Sequence, residues 1–67
     1  MNPKSIVFSQ RVINTINSLP MEDRVAISTA MFGEFVLGMK ENLGLSSQHI
    51  MLYAVIRQYI LRDSEAS

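Results

Sequence analysis

The sequence predicts an all-α domain, a three-helix bundle. Three observations carry the prediction. Apolar residues recur at helical spacing in three stretches. Helix stop and start signals, at Pro20 and at Gly44–Ser46, lie between those stretches. The connections are short, so consecutive helices fold back on one another. The expected spans are about 4–18, 21–37 with an extension to 42 as the alternative, and 47–62.

In the first stretch Phe8, Val12, Ile16 and Leu19 recur at spacings of four, four and three, and Ile13 widens the stripe. Gln10, Arg11, Asn14, Thr15 and Asn17 make the polar side. Asn2 or Ser5 is suited to cap this helix, with Pro3 at its first position. A strand over Ser5 to Gln10 competes, because β-branched and aromatic residues occur there. The stripe continues well past that segment, which favours helix.

The junction NSLPMEDRVA, Asn17 to Ala26, follows. Pro20 cannot continue the first helix, because its ring clashes with the preceding turn and it has no N–H. It suits the first position of the second. Glu22 and Asp23 then lie in the first turn, where negative charge meets free N–H groups. Glu22 is also placed to reach back to the Leu19 N–H as half of a capping box. Arg24 has no local duty.

The second helix carries Val25, Phe32, Val36, Met39 and Leu43 on one apolar face, flanked by Ile27, Met31, Phe35 and Leu37. Gly38 and Gly44 both offer stops. In the segment LGLSSQHI, Ser46 is a good N-cap, with Leu45 and Ile50 placed as a hydrophobic staple. The third helix begins near Ser47. The tail 63–67, DSEAS, is small and polar and is expected to be disordered. The whole chain, 1–67, reads as a single domain.

Every residue from Ile50 to Ile56 is apolar. Leu52, Val55, Ile56 and Tyr59 can face the other two helices, which leaves Ile50, Met51, Ala54 and Leu61 for a partner surface. A helix that is apolar all round is normally buried all round. Three helices in 67 residues cannot enclose one of their own members. A homodimer through helix three is therefore expected.

Composition narrows the function classes. The chain has no cysteine and one histidine, so thiolate zinc sites and disulfides are excluded, and His49 alone cannot hold a metal. Six basic residues balance six acidic ones, so no overall field draws in nucleic acid or anionic membrane. No apolar run approaches a membrane span or a signal-peptide core. A cytoplasmic location is expected. Ser46, Ser47 and His49 are neighbours in sequence, but a triad needs a third group orienting the base. Ser46 is explained as a cap. Gly33, Gly38 and Gly44 match no phosphate-binding pattern. No catalytic residue, cofactor or metal is expected. The expected role is that of a non-enzymatic interaction or structural module, self-associating and open to a further protein partner.

Two resemblances bear on this reading. The stretch INSLPMEDRVAISTAMFGEFVLG, Ile16 to Gly38, resembles a small family found in phage and mobile elements of bacteria. Its pattern is an aromatic-led helix, I-x-x-L-P-x-E-x-R, a second helix closed by glycine, and a last helix with I-[RK]-x-x-I, here Ile56, Arg57 and Ile60. The likeness runs from Phe8 to Asp63 and implies no activity, because the family has none established. The stretch GLSSQHIMLYAVIRQYILRD, Gly44 to Asp63, is similar to the second helix of ribbon-helix-helix regulators. That likeness implies a dimeric DNA-binding regulator as the alternative function. It also implies a basic strand entering the major groove, which would fall at residues 24–29. Arg24 is the one basic residue there, so the phosphate contacts on which DNA affinity rests are missing.

Overall fold

A computed structural model describes residues 5–39 and 45–66. The chain is a three-helix bundle: α1 is Gln10–Asn17, α2 is Met21–Phe35 and α3 is Ser47–Ala66. Each helix packs on the other two, and no strand occurs among the described residues. The expected fold class is the observed one. Several boundaries and one buried face differ from expectation.

The first helix starts later than the sequence suggests. Ser9 is its cap, its hydroxyl accepting from the Val12 N–H. Residues 5–9 are extended. Ser64 on α3 accounts for this: its hydroxyl accepts the Val7 N–H at 2.8 Å and donates to the Val7 carbonyl at 3.4 Å. Residues 5–7 are thus tied to a side chain rather than to a helical turn or a strand. The caps read at Asn2 and Pro3 lie outside the described residues. Phe8 precedes the helix and meets Phe35 edge to face, with ring centres 6.5 Å apart.

At the junction, α1 ends with Ser18, whose N–H reaches back to Asn14 and Thr15. Pro20 is extended and caps α2 rather than opening it. No side chain caps this helix, and the Leu19 N–H is satisfied by the Ile16 carbonyl, so Glu22 has no capping-box role.

The α2 helix stops at Phe35, short of either expected end. Gly38 has φ +74°, the left-handed conformation that glycine adopts without a Cβ penalty. The chain turns there, and the Met39 N–H reaches the Gly33 carbonyl at 2.9 Å. The extension toward residue 42, and the stop read at Gly44, fall on residues outside those described.

Ser46 caps α3 as expected, accepting from the His49 N–H. Leu45 packs on the core, but Ile50 is half exposed. The helix runs through Ala66, so residues 63–66 of the tail expected to be disordered are helical, while residue 67 lies outside those described. Asp63 and Ser64 are held by the segment around Ser9, so the last turn has partners that composition could not reveal.

Val12, Ile16, Ile27, Tyr53, Ile56 and Ile60 form the core, with Leu19, Ala30, Met31, Phe35, Leu52 and Tyr59 packed around it. This corrects the face assigned to α2. Ile27, Ala30 and Met31 point inward, whereas Val25, Phe32 and Val36 point out. On α3, Val55 is exposed rather than packed inward as expected, and Tyr53, assigned to neither side from the sequence, is buried. The molecule is thin, 36 × 24 × 16 Å, and α3 packs on both α1 and α2.

Candidate interaction surface

The polar side chains with chemical potential are engaged within the bundle. Asp23, in the first turn of α2, faces His49, in the first turn of α3; Nε2 donates to the carboxylate at 2.7 Å. His49 therefore ties two helix starts together, while Ser46 Oγ accepts the His49 backbone N–H.

Half-way along the same interface, Glu34 takes two partners. Tyr53 donates its phenolic hydrogen at 2.7 Å and Arg57 its Nε–H at 2.6 Å. Burial pushes the Tyr53 hydroxyl well above the usual phenol range, and the negative charge of Glu34 adds to the rise. A neutral, donating tyrosine is thus fixed in the core. At the far end of α3, Asp63 accepts from Ser9 Oγ at 2.5 Å and from Arg11 at 2.7 and 3.2 Å. The Ser9 hydrogen bond, and then that of Arg11, hold its carboxyl below the ordinary range. The Arg11 guanidinium also lies 4.1 Å from the centre of the Tyr59 ring.

Arg24 acquires a duty that the sequence did not reveal. Its guanidinium donates to the carbonyls of Asn17 and Leu19, both at 3.0 Å, closing the exposed end of α1. Its Nε–H is buried without a partner. The signal was available: a long cation one turn into a helix can reach back over a short junction to the carbonyls that the previous helix leaves free.

No group of three or more acidic, histidine or cysteine side chains able to hold a metal occurs among the described residues. No helix among them is long and apolar enough to cross a membrane.

What remains outside is apolar. Thirteen large hydrophobic side chains are exposed among the described residues, as many as the six of the core and the seven hydrophobics packed against it together. Two exposed faces stand out. On α3, Ile50, Met51, Ala54 and Leu61 all lie at the surface, as the partner-surface reading requires. Ile50, Ala54 and Leu61 share one edge, bordered by Arg57. Met51 lies further round the helix, with Gln58 and Arg62 among its neighbours. On α2, Met21, Val25, Phe32 and Val36 form one straight row opposite the core. The sequence reading found most of these α2 residues and assigned them to the wrong side. Residues 24–29 belong to this helix, so the strand required for a ribbon-helix-helix dimer is not formed there.

No protein-family model, curated protein or solved structure matches this chain.

Proposed function

We propose that this chain is a non-enzymatic interaction module that associates with itself and works through its exposed helical faces. The thirteen large apolar side chains left exposed among the described residues carry this reading. Contiguous apolar surface on a small domain marks an interaction site. A domain of this size, without disulfides, gains stability from a further subunit. The engagement of His49, Glu34, Tyr53 and Asp63 in contacts between elements supports a scaffold role over a catalytic one. A cytoplasmic location goes with this reading and is supported by the cysteine-free composition.

The faces available are the α3 surface of Ile50, Met51, Ala54 and Leu61 and the α2 row. The regulator alternative loses the element it needs, because residues 24–29 are helical. Sedimentation equilibrium between micromolar and millimolar concentration tests the proposal. A mass rising toward twice that of the 7.6 kDa chain is expected. A constant monomer mass over the whole range would refute self-association. A gel shift with random duplex DNA at low salt, with no retardation expected, tests the alternative separately.

A further inference from the structure

We infer that a second copy of this chain docks on the outer row of α2, antiparallel, about a two-fold axis passing between Ser28 and Thr29. The inference rests on the self-association proposed above and names the surface that carries it.

The row is symmetric about one point. Met21 and Val36 are equally far from the 28/29 midpoint, and so are Val25 and Phe32. Ser28 and Thr29 flank the midpoint itself. A two-fold interface requires that if residue i meets j, then j meets i. Antiparallel α2 helices related by this axis place Met21 on Val36 of the second copy and Val25 on Phe32 of the second copy. Ser28 and Thr29 meet their own counterparts at the axis. Large side chains thus pair at the two ends, and small ones lie where the helix axes come closest, at about 8–10 Å.

Charge allows this approach. No charged residue occurs between Arg24 and Glu34. Asp23, Arg24 and Glu34 are held by His49, by α1 carbonyls, and by Tyr53 and Arg57 respectively, all away from the row. The α3 face differs in degree: Arg62 borders it alongside Arg57, which Glu34 holds, whereas the exposed charge nearest the α2 row is Glu22, beside Met21 and well separated from its own counterpart in the antiparallel pair.

Area is sufficient for a weak, specific dimer. Met21 is 64 % exposed, Val25 57 %, Phe32 53 %, Val36 53 % and the adjoining Leu37 62 %. If these exposed parts are covered completely, Leu37 included, two copies bury at most about 1,000 Å², the lower edge for a specific interface.

The chain has no native cysteine, so single cysteines report contacts cleanly. Thr29→Cys is expected to form a disulfide-linked dimer under mild oxidation at least tenfold faster than Ala54→Cys on α3. A mixture of Val25→Cys and Met21→Cys chains should cross-link poorly, whereas Val25→Cys with Phe32→Cys should cross-link readily. Val25→Glu should be monomeric in sedimentation with its helical circular dichroism retained, while Met51→Glu remains a dimer. A dimer that survives Val25→Glu and is lost in Met51→Glu would overturn the α2 assignment and leave self-association standing. Cross-linking at Thr29 no faster than at Ala54 would overturn it too, and does not depend on the glutamate variant folding. A wild-type chain monomeric throughout would remove both.

Discussion

The two sides of α2 are made from the same residue types and meet opposite fates. The inner side sets Ile27, Ala30 and Met31 against α1 and α3, and its flanking charges, Asp23 and Glu34, each have a partner on α3. The outer side carries residues as large and as apolar, and they touch no other element of the core. What separates the sides is the presence of partnered polar groups at the margins. Asp23 and Glu34 lie on the inner face and direct it toward His49, Tyr53 and Arg57. Hydrophobicity supplies the drive to pack, and the polar contacts decide which of two equivalent faces packs.

Adjacent residues on α3 offer the largest break in this comparison. Ile56 is 0 % exposed and Val55 is 49 % exposed. Ile56→Ala removes packed volume from the core centre and is expected to cost about 2–5 kcal/mol. Val55→Ala should stay within about 0.5 kcal/mol. Urea denaturation of both variants measures the contrast, and equal losses would mean that the α3 orientation is wrong.

The polar margin is tested next by Tyr53→Phe. It deprives Glu34 of a donor and is expected to cost about 1–3 kcal/mol at neutral pH. Its pH dependence has a definite sign. The folded state holds the Tyr53 proton more tightly than the unfolded chain does. This contribution is therefore complete below the ordinary phenol range and is lost as pH rises through and above it. Thermal melts at alkaline pH should fall less steeply for Tyr53→Phe than for wild type.

A smaller effect is expected at the end of α2. Gly38→Ala places a Cβ on a backbone with φ +74°, with no neighbouring atom within 4 Å to clash, so the cost is conformational, about 1 kcal/mol. Asp63→Asn should show the most modest change, present at neutral pH and vanishing in acid. Asp63 is held more acidic in the fold than in the unfolded chain. Its contribution is present above the ordinary carboxylate range and fades as pH falls through and below that range. An acid titration followed by circular dichroism should be shallower for the variant.

Much of the architecture was legible from local signals. Pro20 separates two helices, Ser46 caps the third, and the stripe of Val12, Ile16 and Leu19 faces inward. These features act within a few residues, so local spacing suffices to find them. The orientation of α2 was not legible, because apolar residues occupy both its sides and periodicity alone has no preference between them. The start of α1 depends on Ser64 and Asp63, which are distant in sequence, so local spacing points to a cap at Asn2 or Ser5 and not at Ser9. The last turn of α3 reads as loose by composition and is ordered by the same distant contacts. The proposed α3 surface rested on an apolar run of which Ile50, Met51, Ala54 and Val55 lie outside while Tyr53 and Ile56 are buried, whereas most of the α2 row was visible in sequence as an apolar face.

The Val7–Ser64 clip has a consequence for the order in which the bundle assembles and opens. Contacts between α2 and α3 join residues 19 to 26 positions apart, whereas those of Ser9, Arg11 and Val7 with α3 join residues 52 to 57 apart. Each doubling of loop length adds about 0.6 kcal/mol of closure entropy. By this measure the α1–α2 contacts, where Arg24 reaches back 5 and 7 positions, and the α2–α3 contacts close at lower entropic cost than those between α1 and α3, which a clip of two hydrogen bonds holds at the start. The α1–α3 contacts are therefore the latch of the bundle, and they depend on the short helix α1. Its amides should exchange with deuterium before those of α2 and α3, and Ser64→Ala should accelerate α1 alone.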